Sequence, residues 1–182
     1  MDEAFVQGFM YEVAPDILAV PFLSEGYCDF VLECCKQKDT WAPFKGDRHF
    51  STYDIHLKNE LPDLYEVLKD GLEEMILPRA CKWWGIEPIE VSDLFALRYT
   101  KDTQTKLDLH HDDSFVSASL KLNNDYEGAD LFFPRQKFGS KKVSMGTLLI
   151  WPGQITHPHK ATKLVRGEKY SITVWTQQCT TE

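Results

Sequence analysis

The chain has 182 residues, 43% of them hydrophobic and 26% charged, with ten Gly and nine Pro, the composition of an ordinary globular domain rather than a disordered, collagenous or multi-domain chain. Its formal charge of −8 lacks the basic footprint of a nucleic-acid or membrane-surface binder. A chain of this size buries roughly two thirds of its unfolded surface, so it needs neither disulfides nor metal to hold together, and a metal in it would serve function. Five cysteines, Cys28, Cys34, Cys35, Cys81 and Cys179, are an odd number without framework spacing, which favours a reducing compartment. The amino terminus carries acids where a signal peptide is basic, and no apolar run approaches the roughly 18 residues of a membrane span. The expected location is cytoplasmic as the chain stands, or the secretory pathway if a leader has been trimmed.

In chain order, residues 1–90 read as helical support. Ser24 is placed to cap a helix over residues 24–38, where Cys28, Val31, Leu32 and Cys35 recur at helical spacing. A second helix is predicted after Asn59 and Pro62, with Leu64, Val67, Leu68, Leu72 and Ile76 as one apolar stripe and Pro78 as its end. Trp83 and Trp84 then read as core or helix-end packing. From Val91 the pattern changes to short β-rich runs, DLFALRYT, LHHDDSFVSASLKLN, ADLFFP, GTLLIWPG and KYSITVWT, divided by turn residues such as Gly128, Gly146 and Pro152-Gly153. With few helical stretches between them, these strands favour an antiparallel sandwich or barrel over about residues 91–178. The fold class is α+β, mainly β, in a single domain spanning 1–182.

Four of the six histidines lie at two places in the strand-rich half: His110 and His111 in HHDDSF, and His157 and His159 in THPH. A His-x-carboxylate pair plus a distant His is the facial triad of non-haem Fe(II) oxygenases, which leaves metal positions open for co-substrate and oxygen. In a strand, residues two apart project from one face, so His110 can ligate with Asp112 or His111 with Asp113. Even positions from Asp112, namely Ser114, Val116, Ala118, Leu120 and Leu122, are mostly apolar and are expected to face inward, whereas the odd set is mostly polar. His110 and Asp112 are therefore expected inside, with His111 and Asp113 solvated or in support. Spacing alone leaves His157 and His159 open. Lys169, ten residues past His159, opens the run KYSITVW and shares a face with Ser171 and Thr173. A buried lysine needs an anionic partner, and the distal carboxylate of 2-oxoglutarate would serve.

Taken together, HHDDSFVSASLKLN, YEGADLFF, GTLLIWPGQITHPH and the lysine ten past His159 resemble the catalytic domain of procollagen lysyl hydroxylases, within the prolyl-4-hydroxylase-like Fe(II)/2-oxoglutarate dioxygenases. PFLSEGYCDFV, TYDIHLK and LRYTKD extend the likeness upstream, so it runs from about Pro21 to Trp175, with TYDIH its most discriminating piece. The resemblance implies a double-stranded β-helix, or jelly roll, flanked by amino-terminal helices. It places iron on His110, Asp112 and His159 and the co-substrate anchor at Lys169, with Ser171 on the same face and Tyr99 as further candidates to bind the co-substrate. Lys169 falls where lysyl hydroxylases have an arginine and collagen prolyl hydroxylases a lysine. Arginine grips a carboxylate with two parallel hydrogen bonds, whereas lysine acts as a point charge. Ala129 and Asp130 replace glycines of the family, and Leu131 replaces a cysteine.

The implied cofactors are Fe(II), 2-oxoglutarate and O2, with ascorbate as an accessory, and the implied products are succinate, CO2 and a hydroxylated side chain. The implied partner is a peptide with a collagen-like lysine; neither nucleic acid nor a membrane span is expected. Asp108, Asp113 and Asp125 are candidates to meet an ammonium group, and Tyr99 and Trp151 to line the pocket. The basic stretch PRQKFGSKK reads as a hairpin. A peptidyl-proline hydroxylase is the near alternative; a zinc-dependent hydrolase using the same residues and a non-catalytic jelly-roll binding module are alternatives of other classes.

Overall fold

The computed structural model describes residue 5 and residues 8–43 and 52–179. In chain order the elements begin with β1 (Tyr11–Ala14), β2 (Ile17–Pro21), α1 (Glu25–Lys36), β3 (Ala42–Pro43), β4 (Tyr53–His56), α2 (Leu57–Glu60), α3 (Pro62–Gly71) and α4 (Leu77–Trp84). Strands follow: β5 (Ile89–Tyr99), β6 (Leu107–His110), β7 (Val116–Lys121), β8 (Leu131–Phe133), β9 (Phe138–Gly139), β10 (Thr147–Pro152), β11 (His159–Ala161) and β12 (Lys169–Gln178). They pair antiparallel into an eight-stranded sheet, β1-β2-β10-β7-β12-β5-β4-β3, and a four-stranded sheet, β6-β11-β8-β9. This is the jelly-roll architecture, mostly β with a helical layer.

Residue parity separates the two faces of the large sheet. From β2 to β5 the registers pair residues of equal parity, as in Lys169 with Tyr99, Ser171 with Lys121, Trp151 with Ser117 and Thr147 with Pro21, up to a register shift between Trp175 and Thr176 past which Thr176 pairs with Val91 and odd Ile89 and Val91 join the core. Side chains alternate along a strand, so each parity keeps to one face. Even residues, among them Leu18, Leu94, Leu120, Ile150 and Ile172, join the main core with the helices. Odd residues, among them Phe95, Tyr99, Ser119, Trp151 and Lys169, face a cavity.

The helices mostly follow the expected stripes. Ser24 caps α1, its Oγ accepting from the Tyr27 N–H at 3.3 Å, and Cys28, Val31, Leu32 and Cys35 are buried. Leu64, Leu68, Leu72 and Ile76 are buried as expected, but Val67 is 39% exposed. Pro78 does not end the helical run. A π-helical turn, Leu72–Ile76, joins α3 to α4, and Pro78 is the second residue of α4, directly after that turn, so the proline coincides with a break in the i→i+4 ladder rather than with the end of the helix. The run ends instead at Gly85, in the left-handed conformation at φ 63°. Trp84 Nε1 donates to Asp16 Oδ1 at 3.0 Å, a helix-end contact, whereas Trp83 is 48% exposed.

The amino-terminal part also differs from the helical expectation by supplying four strands to the large sheet. The run ILAVP is too short for a helix and is buried on both faces, so it reads as a central strand only once its neighbours β1 and β10 are known. PRQKFGSKK forms the expected hairpin, β8 to β9, with Phe133 opposite Phe138.

Candidate functional site

His110 ends β6 and His159 opens β11, directly opposite each other in the small sheet, with ring centroids 4.4 Å apart. Between His110 and Val116 the chain leaves that sheet and crosses to the large one, so Asp112 lies in an irregular bend rather than in a strand. Strand alternation therefore does not carry from β7 back to His110. The even residues of β7 face the helical core, and it is odd Ser119 that shares the cavity with the histidines. The pair His110 and Asp112 does converge, but the bend brings it together and the parity of the following strand does not.

Backbone contacts fix that bend. The Asp112 N–H donates to the Gly153 carbonyl at 3.0 Å, and the Gly153 N–H donates to the Phe115 carbonyl at 3.1 Å. A Cβ on Gly153 would lie 2.2 Å from the Ser114 carbonyl oxygen, so the approach of the two segments requires glycine. The histidines are oriented alike. His110 Nδ1 is 2.8 Å from the Asp108 carbonyl and His159 Nδ1 is 3.0 Å from the His157 carbonyl, each two residues back. An Nδ1–H donated there leaves the Nε2 lone pair available.

His110 Nε2 is 3.6 Å from Asp112 Oδ1, and His159 Nε2 is 3.6 Å from Asp112 Oδ2. One ligand atom from each of the three residues lies within 4.8 Å of the others. Asp112 is 6% exposed and its Oδ2 is buried without a hydrogen-bond donor, a costly state for a carboxylate oxygen that a cation relieves. Burial holds the His159 pKa below its ordinary value against the pull of Asp112, which favours the neutral imidazole that ligates metals. Two imidazoles and one carboxylate thus fit a non-haem Fe(II) centre. His157 has another role: buried, it places Nε2 3.0 Å from the Pro15 carbonyl and Nδ1 2.9 Å from Thr156 Oγ1, while its own carbonyl orients His159.

A cavity of about 230 Å³ opens on the triad between the two sheets. Lys169, Ser171 and Tyr99 line it, as does Trp151, whose ring packs edge-on 5.0 Å from that of His159. Lys169 is 6% exposed; its Nζ donates to the Ala129 carbonyl at 2.7 Å and lies 5.2 Å over the Tyr99 ring. Burial pushes the Lys169 ammonium down to about 8, with Asp130 opposing the shift and Lys121 adding to it. Burial pushes the Tyr99 phenol up. His111 is exposed at the edge of the cavity, and Asp113 is exposed outside its lining. Asp108, paired with Lys106 at 2.7 Å, and Asp125 also lie outside it. The carboxylates that do line it, Asp54 and Asp93 with His56 between them, went unread in the sequence. The alternation in Thr52-Tyr53-Asp54-Ile55-His56 carried the signal: Ile55 is core, while Asp54 and His56 share the other face.

No family model matches the chain. It is similar over most of its length to procollagen lysine hydroxylases: 27% identical over 179 residues to human procollagen-lysine,2-oxoglutarate 5-dioxygenase 2, covering 91% of this chain and 24% of the relative. The mouse 5-dioxygenase 1 is 30% identical over 169 residues, covering 86% and 23%, and the Caenorhabditis elegans multifunctional procollagen lysine hydroxylase and glycosyltransferase is 25% identical over 173 residues, covering 87% and 23%. The chain thus spans about a quarter of the length of these relatives. Among solved structures, the viral collagen prolyl hydroxylase of Paramecium bursaria chlorella virus-1 superposes with a TM-score of 0.68 at 17% identity, covering 92% of this chain and all of that one. A Trichoplax adhaerens prolyl hydroxylase, solved with a hypoxia-inducible-factor peptide, gives 0.70 at 15% identity, covering 88% and 83%. These two share the fold.

Proposed function

We propose that this chain is an Fe(II)- and 2-oxoglutarate-dependent dioxygenase that hydroxylates a peptidyl side chain, a lysine in a collagen-like segment being the substrate. The observation that carries the reading is the convergence of His110, Asp112 and His159, with one Asp112 oxygen buried and without a donor, on a cavity that holds a buried lysine. Iron would be held by the Nε2 atoms of His110 and His159 and by the Asp112 carboxylate. Bound with 2-oxoglutarate and O2, it supplies the oxidative decarboxylation that yields succinate and CO2 and hydroxylates a C–H bond.

The chain's own residues orient and exclude. The Asp108 and His157 carbonyls hold the imidazole tautomers, and the Gly153 carbonyl holds the bend that carries Asp112. Lys169 takes the distal carboxylate of the co-substrate, with the Ser171 hydroxyl on the same face and Tyr99 as the wall beneath. Phe133 and Trp151 pack against His159 and keep its far side apolar.

The test is spectroscopic. Under anaerobic conditions, Fe(II) followed by 2-oxoglutarate is expected to produce a visible charge-transfer band that is absent in His110→Ala. Metal binding without a band at any keto-acid concentration would favour the zinc hydrolase or the silent module. Mass spectrometry of paired lysine-containing and proline-containing collagen peptides then decides the side chain. The similarity to lysine hydroxylases and the carboxylates in the cavity support lysine; the lysine at position 169 supports proline.

A further inference from the structure

The cavity is electrically polar along its length. Lys169 and Tyr99 are paired across β12 and β5 at one end, and Trp175 and Asp93 are paired across the same strands at the other. Six residues of strand separate Tyr99 from Asp93, about 20 Å. A buried cation therefore sits at one end and Asp93 at the other, while Asp54, on β4 opposite Leu97, lies between the two levels one strand over from β5; the triad opens onto the same space.

The acidic end is built rather than incidental. Asp54 and His56 lie on β4 opposite Leu97 and Phe95, so the register sets both against the cavity-facing residues of β5. His56 Nδ1 is 2.8 Å from Asp93 Oδ2, and His56 Nε2 is 3.9 Å from Asp54 Oδ1. Asp54 is 8% exposed and accepts a hydrogen bond from the Thr52 hydroxyl. Burial raises its carboxyl above the ordinary value, a sign of poor solvation. Among the described residues, neither carboxylate is paired with a lysine or arginine. Two carboxyl groups face one imidazole, so even a protonated His56 leaves room for another positive charge. The walls beside them are aromatic: the His56 and Phe95 rings lie 5.6 Å apart, and Phe95 meets Trp175 edge-on at 5.2 Å. Independently of this cluster, the donorless Asp112 oxygen lining the same cavity marks it as a space for ligands.

We infer that Asp54 and Asp93, braced by His56, form a subsite for the primary ammonium of a lysine side chain, whose methylene stem runs along Phe95 and Trp175. Carboxylates give the ammonium charge-assisted hydrogen bonds, and aromatic faces suit both a cation and an apolar stem. A peptidyl proline has neither charge nor donor to offer. The subsite would make these residues the specificity determinants for lysine. The inference rests on the reading of the cavity as the seat of a peptidyl side chain.

The test is peptide binding by calorimetry on the full chain, with and without Fe(II) and 2-oxoglutarate under anaerobic conditions, so no turnover is needed. Three collagen-like peptides differ at one position: lysine, norleucine or proline. The lysine peptide is expected to bind at least about tenfold tighter than the other two, and Asp93→Asn is expected to reduce that ratio to within about twofold. Equal affinities for all three on the unaltered chain would overturn the inference, as would a ratio that survives Asp93→Asn. Asp93, with a side chain 28% exposed, is the safer site to alter; if nine-tenths-buried Asp54→Asn does not fold, Asp93→Asn and the three-peptide comparison still decide. Selective lysine binding without the keto-acid band would sink the dioxygenase reading and leave the subsite standing. The band together with indifferent binding would do the reverse.

Discussion

The two faces of the eight-stranded sheet are made from alternate residues of the same strands, yet they solve different problems. On the even face, Leu94, Leu120, Ile150 and Ile172 pack against the helices and carry no chemistry. On the odd face, Lys169, Ser171, Thr173 and Ser119 are polar and mostly buried, around a cavity that opens on two histidines and a carboxylate. The apolar face supplies rigidity from close packing, and that rigidity lets the other face hold a lysine and an aspartate out of water at a cost the core offsets. Stability and reactivity are thus divided by residue parity rather than by domain.

Substitutions that breach this division should differ in kind as well as size. Asp112→Ala and His159→Ala are expected to abolish both metal retention and succinate release while leaving the fold intact, whereas His111→Ala and Asp113→Ala keep metal stoichiometry. Metal analysis beside a succinate assay checks this, and loss of metal in the second pair with retention in the first would mean that the other register holds the ion. On the even face, Leu120→Ala or Ile172→Ala should cost about 2–5 kcal/mol of unfolding free energy with the 2-oxoglutarate half-saturation of the folded protein unchanged. Denaturant titration gives the first quantity and initial rates give the second. Lys169→Ala should raise that half-saturation by about ten- to a hundredfold and spare the fold.

The buried lysine also has a pH signature. Its pKa near 8 lies below the unfolded value near 10.4, so in that window the unfolded chain holds the extra proton. Its contribution to stability therefore rises as pH climbs from about 8 to about 10, and is lost as pH falls back through 8. Affinity for a dicarboxylate should move the opposite way, weakening above about pH 8 as the cation is lost. Parallel trends in the two measurements would remove Lys169 from the co-substrate end. Smallest of all, Ser24→Ala should cost about 1 kcal/mol through the lost cap of α1, with no change in co-substrate affinity.

How much of this was legible in the chain depended on how far each signal was local. The cap at Ser24 and the stripe in α1 are set by neighbours a turn apart, and they stand where the spacing put them. The face shared by Lys169 and Ser171 follows from a strand ten residues long, in which alternation is reliable. Alternation does not select His110 with Asp112, because across residues 111–115 the chain leaves the sheet and the two-residue period lapses. The resemblance of the extended motif, not periodicity, implies that pair. Asp54 and Asp93 went unread because their partnership is made by pairing β4 with β5 and by His56, contacts spanning 37 residues of sequence for His56 with Asp93.

The π-helical turn at Leu72–Ile76 gives the helical layer slack in its residue count. Each residue in an α-helix advances the side chains by about 100°, whereas a π-helical turn takes one extra residue into the same sweep, so the helices on either side keep their phase. Leu72 and Ile76 in the turn and Leu77 and Ala80 after it all lie against the core, and Trp84 still reaches Asp16. Deleting one residue from these five would leave ordinary helix with α4 facing the core as before, while the same deletion inside α3 or α4 would be a phase error for everything after it: the turn behaves like a gear with one spare tooth.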